Sequence, residues 1–232
     1  IFYCTPAPSS VDGIGITNVT MGDINNTTGA EAGNYGDFTA QSTTAERLST
    51  VNFAITYETG YAYGTKIWID FNDDADFNDA GEQVYYGLST SSNPTTLTGS
   101  FSIPLTAPLG AHRMRIGGSD TDAGVDPCYT STYATFEDYT ININPAPSCS
   151  GTPVAGTASA PTSSLCLGGV GTTITLSGYT SGVVGITFQW YSSTNGVDFA
   201  PISGETSATL STGSISADAY YNCVVTCSES GL

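Results

Sequence analysis

At 232 residues and 23.9 kDa the chain can bury one large core or two ordinary ones. Hydrophobic residues at 39%, with 14 Tyr and 9 Phe, exclude a solvated low-complexity tail. Four Lys plus Arg against 21 Asp plus Glu give a formal charge of −17, which repels nucleic acid and anionic membrane surfaces and makes divalent cations the natural partners.

Short alternating runs rich in Thr, Val, Ile and Tyr, punctuated by Gly, Asn, Asp and Pro, predict an all-β chain. Strands are expected over 14–20, 48–57, 65–71, 83–87, 97–103, 112–117 and 138–143, a spacing that makes a β-sandwich. The two prolines of Asn144-Pro145-Ala146-Pro147-Ser148-Cys149 then mark a linker. The expected division is a first sandwich over 1–144, a Pro-rich linker over 145–149 and a second sandwich over 150–232. Within the second, strands are expected over 172–177, 187–192, 206–210 and 220–226, with Trp190 as the buried core residue. Tyr221 two residues before Cys223 has the spacing of the tyrosine corner of immunoglobulin-like sandwiches, although Leu176 stands where an antibody domain has its first core cysteine. Only residues 228–232 follow the last of these strands, so the second sandwich is expected to lack its final strand, either by truncation of a longer chain or with the missing edge supplied by a strand from another subunit.

Six cysteines in a Thr-, Ser-, Gly- and Asn-rich chain with a single Lys predict an extracellular, disulfide-bonded protein. No Cys-x-x-Cys pair suggests zinc or redox chemistry, and no run of about 18 apolar residues predicts a membrane span. The chain begins at Ile1 with no basic and apolar leader, and is expected to be a mature or trimmed piece of a secreted protein. Cys223 and Cys227 sit four apart on one face of a strand. If that strand runs from the end where the Cys166 turn lies toward the end where Cys149 lies, the pairs are Cys166 with Cys223 and Cys149 with Cys227, among three possible connectivities. Cys4 and Cys128 are left to close the first domain.

The most informative stretch runs from Trp68 to Glu82. Oxygen side chains at Asp70, Asn72, Asp74 and Asp76, followed by Asp79 and Glu82, have the every-second-residue spacing that wraps hard ligands around one Ca²⁺. Asp76 can contribute through its side chain or its backbone oxygen. The loop departs from an EF-hand in having Ala75 at the sixth position, where a tight turn strains any residue but Gly, and Glu82 at the thirteenth. His112, the single histidine, is read as a surface or rim residue. Glu137 and Asp138 are expected to pair with Arg113 or Arg115, or else to form a second set of cation ligands. No Gly-rich phosphate loop follows a strand and opens a helix.

Tyr3-Cys4, Trp68-Ile69-Asp70-Phe71-Asn72 through Gly81-Glu82, Arg113-Met114-Arg115, Pro127-Cys128 and Phe136-Glu137-Asp138-Tyr139 together resemble the GEVED domain family across nearly all of the first domain. Of the Gly-Glu-Val-Glu-Asp motif only Glu137-Asp138-Tyr139 is kept, with Ala134, Thr135 and Phe136 in place of the rest. The second domain, with Cys149-Ser150-Gly151, Cys166-Leu167-Gly168 and Tyr220-Tyr221-Asn222-Cys223, resembles immunoglobulin-like modules of large surface proteins. Both modules are typical of multidomain proteins exported by the type IX system of Bacteroidota. The resemblance implies an adhesive, accessory or structural role without catalysis.

The leading expectation is therefore a non-catalytic segment of a secreted adhesin or fibre, stiffened by calcium and disulfides. Its partners would be calcium, further copies or neighbouring domains, or surface glycans. The alternative is a carbohydrate-binding accessory module, for which Tyr57, Tyr61, Tyr63, Tyr85 and Tyr86 are the candidate platform rings. A glycosidase would need two opposed carboxylates in a cleft, and the acids here cluster in one loop.

Overall fold

The computed structural model describes residues 2–120, 125–162, 164–166 and 168–228. It is an all-β structure in two compact units, Ile1–Pro145 and Ala146–Leu232. Among the described residues no helix is long and apolar enough to cross a membrane.

The first unit packs two sheets face to face. One has the order β2-β1-β4-β7, from β1 (Gly15–Met21), β2 (Ile24–Thr27), β4 (Thr50–Glu58) and β7 (Thr95–Ser102), all antiparallel. The other has the order β3-β9-β8-β5-β6, from β3 (Tyr35–Glu46), β5 (Tyr63–Ile69), β6 (Gln83–Leu88), β8 (Gly110–Asp120) and β9 (Ala134–Asn144). In β4 the sequence Thr-Val-Asn-Phe-Ala-Ile-Thr-Tyr-Glu alternates strictly, and Val51, Phe53, Ile55 and Tyr57 enter the core while Asn52 and Thr50 face water. Opposite them stand Ile67, Ile69, Met114, Ile116, Tyr139 and Ile141.

The central strands β5, β8 and β9 are buried on both faces. Their outer face is covered by the N-terminal segment, which hydrogen-bonds to residues 129–131 through Ala7 and Ser9 N–H groups. Under that cover lies a second apolar cluster of Trp68, Phe77, Val125, Ala134 and Phe136, with Tyr3, Tyr35 and Tyr129 packed on it. The Cys4–Cys128 disulfide pins the cover in place.

Within the first unit, the two strands that the alternation did not predict are β2 and β3. The second matters more, because it is twelve residues long and pairs with β9 in parallel, with a register break between Asp37 and Ser42. Its run Phe-Thr-Ala-Gln-Ser-Thr-Thr lacks a clear apolar alternation because β3 is an edge strand at the rim of the core.

The second unit has two three-stranded sheets, β10-β11-β14 and β13-β12-β15, from β10 (Thr157–Ser159), β11 (Thr173–Ser177), β12 (Ile186–Ser193), β13 (Ala200–Pro201), β14 (Thr209–Ser211) and β15 (Tyr220–Cys227). Trp190 is fully buried among Ile174, Leu176, Leu210 and Val225, and its indole N–H donates to Ser207 O at 2.8 Å. Pro147 to Cys149, expected as part of a linker, instead hydrogen-bond with Val184 as an edge of this unit. Among the described residues β15 pairs only with β12. The expected shortage of a final strand concerns residues 229–232, which lie outside the described residues.

Cys149 is bonded to Cys227, but Cys166 and Cys223 stand as free thiols, which corrects the expected third disulfide. Cys166 is exposed in a tight turn closed by Gly169 N–H on its own carbonyl, well ahead of β11. Cys223 lies partway along β15, opposite Trp190, and packs on the core cluster.

Candidate functional site

The acidic loop joins β5 to β6, and both of its ends are buried. Asp70 is fully inaccessible, since its N–H donates to Arg113 O and its carboxylate accepts Tyr3 Oη–H at 2.6 Å. The same carboxylate accepts the Asp73 N–H at 2.7 Å and the Ala75 N–H at 2.9 Å. At the other end Glu82, 2% exposed, accepts the Phe71 and Asp79 N–H groups at 3.1 and 3.2 Å. Burial, together with the negative charges of Asp70 and Asp79, raises the Glu82 carboxyl above the ordinary range.

Between these anchors the loop turns on itself. Asn72, Asp74 and Asp76 each accept the N–H two residues on, leaving the second side-chain atom of each to point elsewhere. Ala75 takes φ 70° and Asp73 φ 58°, the left-handed turns expected at the sixth position and found also at the fourth. Asn72 directs Nδ2 to Asp74 Oδ2 at 3.1 Å and to Asp79 Oδ2 at 2.5 Å, so these three side chains meet. Asp76 meets them only through its N–H, which donates to Asp74 Oδ1, while its carboxylate accepts the Asn78 N–H; Asp70 is turned inward to Tyr3. Among the described residues no group of three or more His, Cys, Asp or Glu side chains is gathered for a metal ion.

His112 is buried, not a rim residue as expected. Its ring bridges Asp73 Oδ1 at 3.1 Å and Pro108 O at 3.2 Å, and Phe71 packs edge-on against it.

The acidic pair on β9 splits across the sheet because neighbouring residues of a strand face opposite ways. Asp138 enters the outer cluster, where Arg115 Nε and Nη2 donate to it at 2.7 and 2.8 Å and both side chains are fully buried. Tyr35 Oη–H adds a bond at 2.9 Å, and Arg113 Nε approaches to 3.6 Å. Arg115 Nη1 also donates to Pro127 O at 2.6 Å, while its guanidinium lies over Phe77. Glu137 faces the sandwich interior and meets no arginine. It accepts Thr28 Oγ1–H at 2.8 Å and Tyr139 Oη–H at 2.7 Å.

Residues 64–142 match the GEVED domain. The GEVED match therefore runs from β5 through β9 and holds the acidic loop, Arg113, Arg115, Glu137 and Asp138, but it is narrower than the resemblance implied, leaving out Tyr3 and Cys4. Residues 154–231 match a domain of unknown function (DUF8696). No curated protein matches the chain.

Sequence reasoning placed Tyr3 only within the family resemblance and gave it no part in the acidic loop. Tyr3 is tied to the GEVED region by its bond to Asp70 and by Arg113 stacked 4.5 Å from its ring. Nothing in sequence spacing relates a residue near the start to a loop nearly seventy positions on, except that Tyr3 precedes a cysteine paired with Cys128. Of the five candidate platform tyrosines, Tyr57 and Tyr63 are fully buried and Tyr85 packs edge-on against Phe53, leaving Tyr61 and Tyr86 exposed.

Proposed function

We propose that this chain is a non-catalytic segment of a secreted cell-surface adhesin or extracellular fibre. Its first unit is stiffened by Ca²⁺ in the acidic loop, and its second is an immunoglobulin-like module of a type IX-exported protein. The observation that carries the reading is the acidic loop itself. Asn72, Asp74 and Asp79 face one another between two buried carboxylate anchors, and among the described residues the one basic side chain paired with a loop carboxylate is His112, at Asp73.

The donor set fits a hard cation, because it consists of carboxylates and one amide whose oxygen and nitrogen can exchange places by rotation. Asn72, Asp74 and Asp79 would hold the ion from the loop, with Asp76, Asp70 and Glu82 completing or supporting the set. The ion would supply the charge neutralisation that these acids lack and would tie the β5–β6 connection to the strands. The disulfides Cys4–Cys128 and Cys149–Cys227, one in each unit, support an oxidising, extracellular setting.

Calorimetric titration of chelator-stripped protein tests the reading. The expected result is a dissociation constant of roughly a millimolar or tighter, as in extracellular calcium modules, with affinity lost in Asp79→Ala. No heat and no change in melting temperature with calcium would overturn it. The accessory carbohydrate-binding reading keeps only exposed Tyr61 and Tyr86 as candidate rings; retention on immobilised polysaccharide, abolished by Tyr86→Ala, would favour it over the adhesin.

A further inference from the structure

Glu137 is fully buried between the two sheets, and the Glu31 carboxyl lies against Gly36, the residue in register with it. Glu31 stands just before the short 3-10 turn Ala32–Asn34 that leads into β3, and the Asn34 N–H closes that turn on the Glu31 carbonyl. Its carboxyl is seated where Gly36 lacks a side chain. A Cβ on Gly36 would collide with Glu31 Oε1 and with the Phe38 ring. Gly36 is also the β3 residue in register with Glu137. The glycine thus serves as a socket for the Glu31 carboxyl directly beside Glu137.

Two ionised carboxylates side by side and away from water repel each other, so the pair is held together by a proton that one of them keeps and the other accepts. Among the described residues no basic side chain reaches the pair. Arg47 is held by Ala107 O, Lys66 lies over Trp68, His112 bridges Asp73 and Pro108, Arg113 pairs with Asp37 and Asp138, and Arg115 with Asp138 and Pro127. The groups that do face the pair are neutral: Thr28 on the segment after β2, Asn26 on β2 through Tyr139, Tyr139 on β9, and Tyr57 on β4. Glu31 Oε1 is buried and accepts no hydrogen bond, as suits a neutral acid.

We propose that Glu31 and Glu137 form a proton-sharing latch that fastens the 28–36 crossover onto the sandwich and releases it in alkaline conditions. Burial first, and the neighbouring Glu137 second, push the Glu31 carboxyl up to about 8, while burial raises Glu137 against three lowering hydrogen bonds. A carboxyl raised on folding contributes its full stabilisation below the ordinary range near 4.5 and loses it as pH climbs toward 8. This is opposite in sign to a carboxylate held by a salt bridge.

Amide exchange read residue by residue tests the latch, in the intact chain and at constant calcium. Protection of the Thr28 and Asn34 N–H groups, which bond to Thr17 O and Glu31 O, is expected to fall about tenfold per pH unit between 5 and 8 after correction for intrinsic exchange, then level off. In Glu31→Gln, which keeps a hydrogen on the bond, protection should be flat over this range. Wild-type protection that does not change with pH, or an equal slope in Glu31→Gln, would overturn the proposal. Carboxyl carbon shifts in the wild type give a reading free of any variant: Glu31 titrating near the ordinary value refutes it, and titration near 8 supports it.

Discussion

Asp138→Asn isolates the buried Arg115 charge. Arg115 and Asp138 are both fully inaccessible and joined by two hydrogen bonds of 2.7 and 2.8 Å. Removing one partner of such a pair leaves an uncompensated buried charge, at a cost of about 3–5 kcal/mol. The asparagine keeps one acceptor and the Tyr35 contact, so the lower half of that range, about 3–4 kcal/mol, is expected. For a unit of this size that corresponds to a fall in melting temperature of roughly 10 °C. Trp68 in the first unit and Trp190 in the second are the two tryptophans, so urea unfolding followed by fluorescence in a Trp190→Phe background reads the first unit by itself. Arg115→Met/Asp138→Leu, which removes both charges but strands Pro127 O, should lose less than the single variant. A loss below about 1 kcal/mol for Asp138→Asn, or a double variant worse than the single, would refute the assignment of this pair as a buried, mutually dependent ion pair.

Other outcomes follow from the same geometry. Cys4→Ser/Cys128→Ser should destabilise the first unit by about 4–5 kcal/mol, since the crosslink closes a loop of 124 residues; parallel urea curves with and without reductant check this. Trp190→Ala should cost about 3–5 kcal/mol and unfold the second unit while the Trp68 signal stays unchanged. Ala75→Gly should leave the loop folded and stabilise it by up to about 1 kcal/mol, because φ 70° strains alanine and suits glycine. Ellman titration should find two thiols per unreduced chain, with exposed Cys166 reacting first and Cys223, raised by burial, reacting slowly; no reactive thiol would restore the third disulfide.

Where alternation was strong, as in β4 and β12, the sequence located the strands to within a few residues. It failed at β3, whose small polar residues carry no periodic signal because parallel pairing to β9, not burial of one face, holds the strand. The acidic loop was legible from oxygen spacing alone, including the turn at Ala75. What spacing could not say is which way each oxygen points: Asp70 is drawn inward by Tyr3 and Glu82 by the Phe71 N–H, both decided by the tertiary fold. Likewise the sequence offered Arg113 and Arg115 to both acids of the Glu137-Asp138 pair, whereas strand geometry sends Asp138 to the arginines and Glu137 to Thr28, Tyr139 and Glu31.

Parallel pairing of β3 with β9 also sets the order in which the first unit can be assembled. Each β3 residue outside the register break meets a partner about a hundred positions later, from Tyr35 with Phe136 to Glu46 with Asn144, and loops of that length close late because their entropy must be spent before the contact forms. A chain emerging from a ribosome or an export channel can zip β1, β2, β4 and β7 early, but β3 waits until Asn144 is available. An unpaired twelve-residue strand is ordinarily a hazard for sticking to other nascent chains. The Thr-Ala-Gln-Ser-Thr-Thr-Ala-Glu composition of its last eight residues, which hid it from periodicity, also keeps it poor in the bulky apolar runs that nucleate aggregation during that wait.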